Sequence, residues 1–398
     1  MKTLKSASYT VLCLLLLTYV GGQVVIALFS LINPAWLVWE GDTRNFLSKE
    51  KPELVSYFKQ LLVWKDVLVS TPQNSLVYGA TLFLLSSLQQ ARLASLFWIL
   101  TFCFFSVLIN PNSHIKWAVF LFLLHPVVIF YSTYGVAVSV AVGLSFLITS
   151  LVMVALNENY KKSLYLFLGI VISVSFYEYV PVRFVAIFTL LFLGIVLLKR
   201  KRLVELALLA VFPLACTIFN LFLGRLEFFY SARGEQIINF FNHPDYLKEY
   251  IGTVERKPEN FLSLLYTLIR HNFWDLLKHF NINYSAIVTH DPPSIPLLVG
   301  IYSLLFILGL LRLFGRNALF AGYLLYIIIS ISFLLLLTTR VDTHRISVLV
   351  APVTVVTAFA LDFLYDNLSK HVGYKIVLAC IGFVMYFFHA YLIVKSSW

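Results

Sequence analysis

The first acidic motif of the chain directly follows its first long apolar run and reads Glu40-Gly41-Asp42-Thr43-Arg44. A carboxylate in this position can accept a proton from a hydroxyl group. An arginine can bind a phosphate group through paired, charge-assisted hydrogen bonds. Because ionisable groups near a membrane are costly to keep there, each of them is a candidate for function.

Further tyrosines, arginines and acids stand at the ends of later apolar runs. The candidate binding residues outside the first motif are Tyr131, Tyr134, Tyr177, Glu178, Tyr179, Arg183, Arg340, Asp342, His344 and Arg345. Tyrosines stack against sugar faces and donate hydrogen bonds, and arginines bind phosphate. Together with Glu40, Asp42 and Arg44, this mixture is what a catalytic cleft for a phosphorylated sugar would require.

Each of these residues also has a structural interpretation. Asp42 could be an interfacial residue or a helix cap, and Glu178 could simply pair with Arg183. Arg340 and Arg345 could extend their side chains to lipid head groups. His344 could be a polar group whose hydrogen bonds are all made within the fold.

The elements that must position these residues are membrane helices. The chain is 60% hydrophobic and 12% charged, whereas soluble domains are about 45–50% apolar and about 25% charged. The net charge of +11 does not indicate nucleic acid, because the basic residues lie mostly in short turns between apolar runs. The composition predicts an all-α, polytopic bundle of transmembrane helices.

About eleven runs are long enough to span a bilayer. They begin near Tyr9, Leu93, Trp117, Val136, Ser163, Phe184, Leu203, Ser294, Asn317, Ile346 and Tyr374. The run from Ser75 to Leu88 is ambiguous, and treating it as a span would place the Lys199-Arg200-Lys201-Arg202 cluster outside. The positive-inside rule therefore favours a cytoplasmic amino terminus, with Ser75–Leu88 in the outer interface and the candidate residues on the outer face.

We predict one domain, residues 1–398, with two long outer loops at residues 33–92 and 225–293. The first contains the acidic motif and an apolar stripe at helical spacing from Leu54 to Leu62, and the second has a similar stripe from Phe261 to Leu277. Both stripes are typical of helices that lie in the membrane interface.

Several motifs of other enzyme classes are absent from the sequence. It has no Gly-rich phosphate loop, no H-E-x-x-H, no C-x-x-C and no G-x-S-x-G. The four cysteines lie inside apolar runs without metal-ligand spacing. The residues thus give no support to a zinc protease, a serine hydrolase or a soluble-nucleotide enzyme.

The order of the motifs resembles that of the GT-C superfamily of membrane glycosyltransferases. The similarity is to the family-39-like branch, which includes protein O-mannosyltransferases and aminoarabinose lipid A transferases, and it covers roughly residues 1–360. It rests on the acidic loop at Asp42, the segment Tyr131–Tyr134, the tyrosine-rich segment ending in Arg183, and the pair His344-Arg345. Two features depart from the pattern: Gly41-Asp42 replaces a pair of acids, and Thr133 is neutral.

The resemblance implies an inverting sugar transfer from a polyprenyl-phosphate donor to a hydroxyl of a lipid, glycan or protein. Asp42 would be the general base, and Arg345 and Arg183 would stabilise charge on the leaving phosphate. No metal or other cofactor is expected, and the protein would act at the outer face of the plasma membrane in a prokaryote. The alternatives are a transporter or flippase of a lipid-linked saccharide, and a non-catalytic membrane subunit.

Overall fold

The computed structural model describes residues 16–28, 43, 47, 75–133, 135–156, 161–222, 261–280, 297–298, 301–337, 341, 343–368 and 372–395. Within these ranges all regular secondary structure is helical. The predicted all-α bundle is therefore confirmed for the described part of the chain.

The helices are numbered in their order along the chain. In the described residues they are α1 (Leu16–Leu28), α2 (Leu76–Phe83), α3 (Leu88–Ile109), α4 (Ser113–Leu124), α5 (Pro126–Ser132), α6 (Val138–Ala155), α7 (Ser163–Ser175), α8 (Val180–Lys199), α9 (Leu203–Phe222), α10 (Phe261–His279), α11 (Ile301–Arg316), α12 (Ala318–Leu336), α13 (Thr343–Ile346), α14 (Val350–Leu368) and α15 (Val372–Lys395). A 3₁₀ turn, Ser347–Leu349, joins α13 to α14.

Six helical segments of the described residues are long and apolar enough to cross a membrane: α3, α6, α8, α9, α12 and the continuous segment Thr343–Leu364. The pair α4 and α5 would make a seventh span, bent by 68°. Helices α1 and α7 and the Cys380–Tyr391 part of α15 are apolar but shorter. These helices make the protein an integral membrane protein, and they account for six or seven of about eleven predicted spans.

Helix α6 forms the centre of the bundle. All of its residues from Val138 to Ala155 are buried, and it packs against α3, α7, α8 and α14. Ser145 donates a hydrogen bond of 2.8 Å to the backbone oxygen of Val348. This bond satisfies a carbonyl at the irregular junction between α13 and α14, where a buried unpaired oxygen would be costly.

Two glycines allow helix backbones to approach closely. A Cβ atom added at Gly309 in α11 would lie 2.0 Å from the backbone oxygen of Val356 in α14. A Cβ atom at Gly169 in α7 would lie 2.5 Å from the backbone oxygen of Leu209 in α9. Small residues at such crossings are typical of membrane bundles, where van der Waals packing drives the association of helices.

The bend between α4 and α5 occurs at Pro126, which lacks a backbone donor and cannot continue the first helix. Carbonyl groups near the break, which lack a helical N–H partner, are contacted by side chains. Tyr302 donates to the oxygen of Leu121 at 2.9 Å, and His389 Nδ1 lies 2.9 Å from the oxygen of Leu124. These contacts explain how a helix break is tolerated inside the bundle.

The ambiguous run after residue 75 forms the short helix α2 and a turn, and α3 begins at Leu88. Eight residues make a helix of about 12 Å, whereas the hydrocarbon core is about 30 Å thick. This length agrees with the expectation that the run does not cross the membrane.

The apolar stripe predicted in the second outer loop falls on α10. Leu268 and Leu276 are buried, and Leu277 is exposed. Asn272 joins α10 to the end of α12 by donating to the backbone oxygen of Leu336 at 3.0 Å. The stripe predicted in the first loop, from Leu54 to Leu62, lies outside the described residues.

Candidate functional site

The site is built at the end of α5, where the sequence places Tyr131. Its hydroxyl group lies 2.8 Å from Nδ1 of His344, in α13, and 213 residues separate the two positions. Tyr131 is completely buried and His344 is 4% exposed. A hydrogen bond between two such desolvated groups fixes the orientation of the imidazole ring.

A second bond joins the first loop to the same end of α5. Thr43, which follows Asp42 in the acidic motif, donates from Oγ1 to the backbone oxygen of Gly135 at 2.7 Å. Thr43 is completely buried. The loop that contains the acidic motif is thereby attached at Gly135. This residue lies two positions after Thr133, the C-cap of α5.

A third set of bonds surrounds Glu178, in the turn between α7 and α8. The Ser75 hydroxyl donates to one carboxyl oxygen, and the backbone N–H of Val77 donates to the other at 2.7 Å. The backbone N–H of Leu76 donates to the oxygen of Tyr177 at 2.9 Å. Glu178 and Tyr177 together accept the free N–H groups at the start of α2, as a helix cap does.

Burial raises the pKa of the Glu178 carboxyl to about 8, although the hydrogen bonds from Ser75 and Val77 and the nearby Arg183 oppose the shift. The carboxyl group is completely buried, and removal from water disfavours its charged form. Removal from water therefore favours the protonated, neutral form of Glu178.

The neighbours of Glu178 support the turn. Arg183 Nε donates to the backbone oxygen of Glu178 at 2.7 Å, so these two residues meet through the backbone carbonyl rather than the carboxylate. Asn220 in α9 donates to the hydroxyl of Tyr177 at 3.1 Å, and burial raises the pKa of Tyr177 to about 12. Tyr179 is partly buried and packs against the core.

A small groove lies beside this turn, between the start of α8 and the end of α12, and its enclosed space of about 20 Å³ would admit about one water molecule. Its lining comprises Val180, Pro181, Phe184, Ile331, Leu334, Leu335 and Arg345. Arg345 is the charged member of an otherwise apolar lining and directly follows His344. The surface that these residues expose in the groove is entirely apolar, so Arg345 borders the groove through apolar atoms.

The structure places seven of the predicted residues, and all seven belong to one end of the bundle. Tyr131 contacts His344 directly, and Arg345 shares the groove with the start of α8, next to the turn that holds Tyr177, Glu178 and Tyr179. Arg183 lies in the first turn of α8. The remaining predictions lie outside the described residues: Glu40, Asp42, Arg44, Tyr134, Arg340 and Asp342.

Sequence reasoning gave no role to Thr43, Ser75 or Asn220, which hold the site together. Ser75 could have been recognised, because a serine before an apolar run is a typical helix N-cap, and its hydroxyl does accept from the backbone N–H of Tyr78 at 3.0 Å. The contact between Thr43 and Gly135 bridges 92 residues and has no local signal. Among the described residues no three His, Cys, Asp or Glu side chains are grouped as metal ligands.

Comparisons with known proteins support the fold. No protein-family model matches the chain, and no curated protein sequence matches it. Among solved structures, the chain is similar to the archaeal oligosaccharyltransferase AglB from Archaeoglobus fulgidus, which was solved with an inhibitory peptide and a dolichol-phosphate. The TM-score is 0.54 at 14% identity, over 99% of this chain and 56% of the AglB chain.

The chain therefore spans little more than half the length of the oligosaccharyltransferase that it matches. At this level of identity the similarity concerns the fold alone, and it shows that the membrane helices of this chain are arranged in a fold similar to that of AglB.

Proposed function

We propose that the protein is a membrane glycosyltransferase that transfers a sugar from a polyprenyl-phosphate donor to a hydroxyl group of a lipid, glycan or protein. The observation that carries the proposal is the grouping of Arg345 with the buried Tyr131–His344 pair at one end of a bundle whose fold is similar to that of AglB. AglB, whose fold is similar, was solved with a dolichol-phosphate, a lipid of the proposed donor class.

In this proposal the donor lies with its lipid tail along the apolar wall formed by Phe184, Ile331 and Leu335. Its phosphate binds Arg345 first, because this arginine directly follows His344 and borders the groove. Arg183 is the second arginine candidate, although its Nε already donates to the turn at Glu178.

The chemistry needs one base and a stabilised leaving group. Asp42 takes the proton from the acceptor hydroxyl as that oxygen attacks the anomeric carbon. The new carbon–oxygen bond forms as the bond to the donor phosphate breaks, which inverts the anomeric centre. The phosphate leaves as an anion, which Arg345 stabilises, and no step of this transfer calls for a metal ion.

We also propose about eleven spans in total, a cytoplasmic amino terminus and an active site on the outer face of the membrane. Support comes from the distribution of basic residues. Arg202 contacts Tyr165, near the start of α7, so the basic turns before α7 and α9 meet at the end of the bundle away from Glu178.

The broken helix α4–α5 is the feature that favours a transporter, because such breaks often form transport sites. Here the polar groups of the break are bonded to backbone: His125 Nε2 lies 2.9 Å from the oxygen of Leu297, and His389 contacts Leu124. These bonds explain the histidines as support for the break, so we place transport second.

Transfer from radiolabelled polyprenyl-phosphate sugars to a panel of acceptors tests the proposal, with wild type beside Asp42→Asn. We expect Asp42→Asn to lose about 10²–10⁴-fold in rate, the range for a general base. Asp362→Asn, a matched change at the opposite end of the bundle, should keep its activity. Equal rates in wild type and Asp42→Asn would remove Asp42 from the mechanism, and a folded wild type without turnover would favour transport or an accessory role.

A further inference from the structure

A hydrogen bond between Thr43 and Gly135 attaches the first loop, at Thr43, to the segment that follows α5. The Thr43 hydroxyl donates at 2.7 Å to a backbone oxygen 92 residues further along the chain, and the threonine is completely buried. A buried hydroxyl usually bonds within its own helix, as Thr357 does to the oxygen of Val353 at 2.7 Å. Thr43 instead joins two segments that are far apart in sequence.

The carbonyl that Thr43 binds belongs to a segment held in place by other bonds. Ser132, the last residue of α5, accepts from the Tyr19 hydroxyl at 3.3 Å and lies 3.2 Å from Oε1 of Gln23. At the other end of α5, Nε2 of the His125 side chain lies 2.9 Å from the backbone oxygen of Leu297. Because α5 is fixed at both ends, the bond to Gly135 gives the loop a defined position.

The loop has a second attachment at Leu47, which packs against the core. Thr43 and Leu47 are both helical and four residues apart, the spacing that places two side chains on one face of a helix. Asp42 is joined to Thr43 by one peptide bond, and adjacent Cα atoms are about 3.8 Å apart. The attachment of Thr43 therefore limits where the acidic motif can lie.

We propose that Thr43 is a positioning residue, whose hydrogen bond to Gly135 limits how far Asp42, one peptide bond away, can move from the end of α5. The proposal rests on the proposed transfer reaction, with Asp42 as its base. Base and acceptor must be placed closely, and a displacement of about 1 Å can lower a rate about 10²-fold. A threonine that served stability alone would leave the turnover number unchanged in folded protein.

The kinetic test compares Thr43→Val, which keeps the shape and loses the hydroxyl, with Thr43→Ser, which keeps the hydroxyl. We expect Thr43→Val to lower kcat about 10- to 100-fold, with the KM for the donor within about twofold of wild type, because the groove at Arg345 is untouched. Thr43→Ser should retain most of the activity. Thr357→Val, the matched loss of a buried threonine hydroxyl, should leave kcat unchanged.

A second measurement does not depend on activity. In hydrogen–deuterium exchange, amides of the peptide containing residues 43–47 should exchange about tenfold faster in Thr43→Val, because the bond that closes the loop is lost. Thr43→Ser and Thr357→Val should match wild type in this peptide.

The outcomes separate the two proposals. In one outcome, wild type transfers no sugar while Thr43→Val still speeds amide exchange. That result would confirm that Thr43 attaches the loop, and it would overturn both the proposed sugar transfer and the role of Thr43 in it. Unchanged kcat in Thr43→Val would overturn the positioning role in an active enzyme. An equal loss in Thr43→Ser would assign the effect to the methyl group and overturn the role of the hydroxyl.

Discussion

The two ends of the bundle differ in how far their polar side chains and the partners of these side chains are buried. At the end with the candidate site, Glu178, Tyr131 and Thr43 are completely buried, and each bonds to a distant part of the chain. At the opposite end, Asp362 lies 2.9 Å from Nδ1 of His114 and 3.5 Å from Arg316. The Asp362 side chain is also buried, at 4% exposed, but its partners His114 and Arg316 are 19% and 34% exposed.

This difference determines how much each interaction contributes. A charged partner that stays partly open to water, as Arg316 does, contributes little, because water screens it and solvates it when the contact is lost. A buried polar group that loses its partner must bear the full cost of desolvation. Single polar substitutions should therefore lower the free energy of unfolding most at the site end. They should lower it least at the partly exposed residues of the opposite end.

The largest effect is expected for Glu178→Ala, which leaves the Ser75 hydroxyl and the N–H of Val77 without their acceptor. We expect a loss of about 2–4 kcal/mol in the free energy of unfolding, because two buried donors lose their bonds. Glu178→Gln keeps an acceptor oxygen of the same reach and should cost less than about 1 kcal/mol. Denaturation in detergent measures both values.

A double-mutant cycle with Ser75→Ala makes this prediction sharper. The combined variant should cost less than the sum of the single variants, because both remove the same bond. Additive costs would contradict the pairing. If Glu178→Gln is stable but inactive in sugar transfer, the carboxyl group also contacts substrate, as the sequence predicts.

The pH dependence of stability tests the same carboxyl group. Its pKa is raised to about 8 by burial, whereas in the unfolded chain it titrates near the ordinary value of 4.5. Between these values the folded state holds a proton that the unfolded state releases. The contribution of Glu178 to stability is therefore fully present below pH 4.5, falls as pH rises and is lost above about pH 8.

The slope can reach about 1.4 kcal/mol per pH unit in this window. The melting temperature in detergent, recorded from pH 5 to 9 for wild type and Glu178→Gln, isolates this contribution. The variant lacks the carboxyl group and should show a shallower fall. A wild-type stability that rises with pH relative to Glu178→Gln would mean that the carboxylate is charged in the folded protein.

The parts of this structure that the sequence predicts are those with a local physical cause. Long apolar runs predict membrane helices, and Pro126 predicts the bend at α5 because it cannot donate a backbone bond. These two features depend on neighbouring residues alone. The length of the run after Ser75 is ambiguous by itself, and the prediction that it does not span comes from the positive-inside rule and the basic residues of the whole chain.

The site itself is assembled by contacts that sequence spacing does not encode. The pairs Tyr131–His344 and Ser75–Glu178 span 213 and 103 residues. Helices such as α6 are apolar on every side, so their sequences do not indicate which neighbours they pack against. The candidate residues could be chosen by type and by predicted side of the membrane, but their partners could not.

The smallest effect is expected for Arg316→Gln, at the opposite end. Asp362 keeps its contact of 2.9 Å with His114, and the Arg316 side chain is about one-third exposed, so water replaces most of what the guanidinium supplies. We expect a loss of less than about 1 kcal/mol in the free energy of unfolding, and less still at high salt, which screens exposed charges. Sugar transfer should match wild type. A loss as large as that of Glu178→Ala would show that the two ends do not differ in the way their burial implies.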